Sequence, residues 1–77
     1  MPRYEPINYR TICSMVYKVV QIYGQPMPLK ALVGDLSRNM NLGIDTKRVF
    51  DGLGSKVVEK VEDLPNGVRR VTTLVVP

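Results

Sequence analysis

The chain has no histidine and no tryptophan, one phenylalanine (Phe50) and one cysteine (Cys13). Without histidine, Ser-His-Asp and Cys-His catalysis are excluded. One cysteine with scattered carboxylates is not a zinc or iron ligand set, so no metal and no other cofactor is expected. A lone cysteine forms no intramolecular disulfide, which suits a reducing compartment. No apolar run approaches the ~20 residues that span a bilayer, and the opening MPRYEPINYR has no apolar block of a secretory leader. These absences lead us to expect an intracellular domain (nuclear in a eukaryote, cytoplasmic otherwise) with no membrane partner and no enzymatic activity.

What is present fits a small folded unit. Seventy-seven residues allow one domain, and 44% apolar content suits a packed core rather than a disordered segment. Eleven basic against seven acidic residues give a net charge of +4, which favours anionic partners. The excess is uneven: residues 1–44 carry +3 and residues 45–77 only +1. There is no internal repeat and no low-complexity tract.

Periodicity then divides the chain. Residues 1–7, with Pro2 and Pro6, read as an extended lead-in. Asn8 suits an N-cap, and Ile12, Met15, Val16, Val19 and Tyr23 recur on one helical face, widened by Val20 and Ile22, so a first helix is predicted over 8–24. Gly24 sits where a helix end tolerates positive φ. Pro28 fits the first turn of a second helix over 28–40, with Leu29, Leu32, Val33, Leu36 and Met40 inward and Asp35 and Arg38 outward. After a turn ending in Gly43, Asp45 caps a third helix over 45–56. Val49, Phe50, Leu53 and Val57 take one side of it; Lys47, Arg48, Asp51, Gly52, Ser55 and Lys56 take the other. From Val57 the period becomes two, predicting a β-hairpin over 57–76 that turns on Asn66-Gly67. Three helices followed by a hairpin is the order of a winged helix-turn-helix, an α+β fold in which the hairpin is the wing.

In such a fold the third helix enters the DNA major groove. Lys47 and Arg48 in its first turn are the candidates for bases or phosphates, with Gly52 clearing the outward face between Arg48 and Ser55. Lys56, then Lys60, Arg69 and Arg70 on the wing, are candidate backbone contacts. DNA is the first partner to expect and RNA the second. Against this, Glu59, Glu62 and Asp63 lie beside the wing cations and repel phosphate. Valines on both faces of VTTLVV suit a protein partner or a homodimer through the C-terminal strand. Tyr4, Tyr9, Tyr17 and Tyr23 add aromatic surface near the first helix.

KRVFDGL at Lys47–Leu53 resembles the Arg-Arg-x-Tyr-Asp signature of the E-two-F/DP transcription factors. CSMVYKVVQIYGQ is similar to that family's first helix, PLKALVGDLS to its second and VVEKVED to its passage into the wing, covering roughly residues 10–63. The resemblance implies a winged helix in which the basic pair contacts guanines. Carried over, the pair is Lys47 and Arg48, Asp51 orients it and Phe50 packs inward. The chain departs from the signature at Lys47, which replaces an arginine and lacks its planar two-bond contact, and at GLGSK, which replaces a helical apolar segment. A looser likeness, through the second helix and the hairpin, is to the LOTUS winged-helix domain, which implies protein interaction instead.

Overall fold

The computed structural model describes residues 6–77. The lead-in expected over residues 1–7 and the position of Tyr4 therefore lie outside the described residues, except for Pro6 and Ile7. Among the described residues the fold is α+β: three helices and a three-stranded antiparallel sheet, a layout compatible with a winged helix.

Helix α1 spans Tyr9–Tyr23. Asn8 caps it, its side-chain oxygen accepting from the Thr11 N–H at 3.2 Å. Gly24, at φ 69°, closes it by donating to the Val20 carbonyl at 2.9 Å. Ile12, Val16 and Val20, four apart, are buried. Tyr23 and Ile22, by contrast, are 65% and 74% exposed, because the last turn extends past the elements that cover the rest. Helix α2 spans Leu29–Met40, buries Leu29, Leu32 and Val33, and ends at Asn41 in the left-handed region (φ 54°). The Asp35 carboxylate pairs with Arg38 on its outer face.

Pro28 is not in that helix. Met27 and Pro28 form a short strand, β1, paired with Val75 and Leu74. Proline cannot donate to a ladder, and it is tolerated here because β1 is an edge. The other strands are β2 (Val57–Asp63) and β3 (Arg69–Val75), and the order is β1-β3-β2. Val75 at the base of β3 is fully buried, making the central strand part of the core with Val16, Val20, Val49 and Leu53.

The hairpin turn also differs from the expected two-residue Asn-Gly loop. The Leu64 N–H donates to Val68 at 2.8 Å and the Gly67 N–H to Leu64 at 3.0 Å. Pro65 and Asn66 thus form a tight turn, and Gly67 follows at φ 81°. This is a three-residue loop with a glycine bulge, and proline's fixed φ favours it. Val61 and Val71, opposite each other, are 53% and 52% exposed although they share the face of buried Val75. The hairpin therefore projects beyond the helices, and the molecule measures 54 × 26 × 20 Å.

Helix α3 spans Thr46–Leu53, shorter than the predicted 45–56. Gly54 adopts φ 58° and ψ −121°, which ends the α-helix, and Gly54–Lys56 continue as a single 3₁₀ turn into β2. Val49 and Leu53 are buried, but Phe50 is 38% exposed rather than packed inward. It lies about 100° around the helix from Val49, beyond the edge of the core.

Candidate nucleic-acid interface

Helix α3 is held at its start by two bonds. The Asp45 side chain accepts from the Lys47 N–H at 3.0 Å, and the Asp45 N–H donates to the Tyr9 hydroxyl of α1 at 3.0 Å. From there two stripes with the same four-residue spacing run alongside each other in the same sense. On α1 they are Tyr9, Cys13 and Tyr17. Facing them are Arg48, Gly52 and Lys56. The Arg48 guanidinium sits 5.1 Å from the Tyr9 ring centre and the Lys56 ammonium 5.0 Å from that of Tyr17. Both are cation–π contacts, worth about 0.5–1 kcal/mol each at exposed sites.

Between these pairs, Gly52 faces α1 rather than clearing an outward surface. A Cβ on it would stand 2.6 Å from the Cys13 sulfur. The Cys13 thiol donates to the Val49 carbonyl at 3.6 Å. Burial pushes its pKa above the ordinary value of 9.0, so it stays protonated at neutral pH and is a packing group.

This seam forms one wall of a cleft of about 450 Å³, with Arg10, Ser14, Tyr17 and Lys56 around its mouth. On the other flank of α3 lies a second cleft, about 510 Å³, between Thr46, Lys47 and Phe50 of α3, Leu29 and Lys30 of α2, and Val71–Thr73 of β3. Among the described residues no carboxylate lines either cleft. Lys47 and Arg48 lie on different sides of α3: Lys47 borders the second cleft and Arg48 lies over Tyr9 beside the first. Asp51 makes no hydrogen bond or ion pair to either of them among the described residues. Asp51 and Ser55 are exposed.

The β2–β3 hairpin differs in its electrostatics. Lys60 pairs with Glu62 at 3.6 Å, Arg69 pairs with Asp63 at 3.1 Å, and Arg70 stands across the ladder from Glu62. Its cations are largely matched by carboxylates, whereas those flanking α3 are not. Arg10 and Lys30 are not among the sequence candidates, because spacing along one helix does not locate the helix beside it.

No protein-family model, no curated protein and no solved structure matches the chain.

Proposed function

We propose that the chain is a winged-helix nucleic-acid-binding module, most suited to duplex DNA, with α3 as its centre and β2–β3 as its wing. The observation that carries this reading is the pair of clefts flanking α3, each bordered by cations and aromatics and, among the described residues, by no carboxylate. Arg48, Lys56 and Arg10 on one flank and Lys47 and Lys30 on the other offer charge to phosphates on both sides of a helix entering a groove. The cation–π contacts hold Arg48 and Lys56 against rings, which reduces the side-chain freedom lost on binding. The wing, with its charges paired internally, contributes less than the sequence suggests. The resemblance of KRVFDGL to the E-two-F/DP signature agrees with α3 as the reader, but Lys47 and Arg48 work from separate sides of it.

The test is a fluorescence-anisotropy titration of the purified chain against a labelled duplex at two salt concentrations. Affinity should fall steeply as salt rises, since each phosphate contact releases counterions. Absence of binding at low salt would overturn the proposal.

A further inference from the structure

The second cleft contains a feature that a phosphate chain does not need. In the β2–β3 ladder, Leu64 bonds to Val68 and Lys56 to Val76, so the even-numbered residues between Val68 and Val76 exchange bonds with β2. The N–H and C=O groups of Arg69, Val71 and Thr73 therefore point to the opposite edge. There β1 reaches only Val75 and Leu74 before the chain leaves Pro28 to enter α2. Beyond β1, no other strand among the described residues pairs with that edge of β3.

That open edge is one wall of the cleft. Facing it are Phe50, 38% exposed, with Lys47 on α3 and Lys30 on α2, while Val71, 52% exposed, lies on the edge itself. We propose that this cleft takes an extended acidic peptide, which adds to β3 in line with β1 as a further strand. A strand edge presents carbonyls as well as N–H groups, repeating every ~6.6 Å along the chain. Another peptide backbone satisfies both. A phosphate backbone can accept from the N–H groups only and is repelled by the carbonyls. The two lysines, with no carboxylate lining the cleft among the described residues, select an acidic sequence, and Phe50 with Val71 selects apolar residues at alternate positions.

The probe is a fluorescein-labelled octapeptide alternating glutamate and valine, compared with the same peptide N-methylated at every residue. Both are titrated into the full chain by anisotropy and by ¹⁵N NMR. The acidic peptide should bind and move the Val71 and Thr73 amide signals, and the N-methylated one should not bind, because it has no backbone donor for the carbonyls of the open edge. Lys30→Glu, at an exposed position, should weaken binding at least about fivefold. A thymidine 12-mer should leave those two amides unmoved. Equal binding of the N-methylated peptide, or no shift at Val71 and Thr73 with the acidic one, would each overturn the proposal.

Discussion

Gly52 of α3 abuts the Cys13 thiol of α1 so closely that the space for a Cβ is already taken, the sulfur lying 2.6 Å from where that carbon would stand. The contact lets two cation–π pairs close on either side of it. In an exposed helix, alanine would be better than glycine by ~1 kcal/mol. Here Gly52→Ala must displace a short side chain that is bonded to the Val49 carbonyl. The expected result is a net loss of about 1–2 kcal/mol by urea denaturation. In a Cys13→Ala background the obstacle is gone, so the same Gly52→Ala change should become neutral or stabilising. Additive effects of the two changes would show that the seam is not held by this contact.

Gly54 makes a different demand. Nothing lies within 4 Å of a Cβ built there, yet φ is 58° with ψ −121°, a conformation that side-chain-bearing residues rarely adopt. Gly54→Ala should therefore cost about 1–3 kcal/mol through backbone strain alone. Gly43 also has open space around it but no positive φ. Gly43→Ala should be neutral, or stabilise by up to about 1 kcal/mol by restricting the unfolded chain. Thermal melts of the two variants make the comparison, and equal shifts would contradict it.

These two glycines mark what was legible in the sequence. Gly54 ends the α-helix inside the predicted 45–56 span, and the change of period at Val57 is the local signal that places the end of the helical region within a few residues. Gly52 was assigned to an outward face, because a helical wheel orders residues around one axis without locating the neighbouring helix. The burial of Ile12, Val16 and Val20, and of Val49 and Leu53, was legible from apolar spacing. Strand β1 was not: two residues show no period, and Met27–Pro28 become a strand only because β3 runs beside them from far along the chain. The wing ion pairs depend on cross-strand register, which a three-residue loop alters relative to a two-residue one. The helical wheel puts Phe50 on the side of Val49 and Leu53, but the core covers too narrow an arc of α3 to reach it, and it is 38% exposed.

The Cys13 thiol gives the fold a dependence on alkaline pH. Burial raises its pKa above the ordinary 9.0, so the native state keeps a proton that the unfolded chain loses first. With more protons bound in the native state, stability from this group is complete below the unfolded pKa and is lost as pH rises through the folded one. The urea midpoint should thus fall between neutral pH and about pH 10, and fall less in Cys13→Ala. Every other titrating group is common to both proteins and cancels in the difference. Identical pH slopes would mean the thiol ionises freely in the native state.

Charge reversals separate the α3 flank from the wing. Arg48 lies over a tyrosine ring with no carboxylate partner among the described residues, whereas Arg69 is bonded to Asp63 and Arg38 to Asp35. If α3 is the centre of the nucleic-acid interface, Arg48→Glu removes a cation available to phosphate and introduces a repulsion. Its affinity for duplex DNA at low salt should fall by at least about tenfold, and the slope of log affinity against log salt should drop by ~1. Arg69→Glu breaks an exposed pair worth only ~0–1 kcal/mol to the fold, so its melting temperature should barely move. Its binding should weaken less than that of Arg48→Glu, because Asp63 already offsets the arginine's charge toward phosphate. Arg38→Glu, on the outer face of α2, sets the baseline for a change in net charge alone. A loss for Arg48→Glu no greater than that baseline would remove α3 from the interface, and a larger loss for Arg69→Glu would move the interface to the wing.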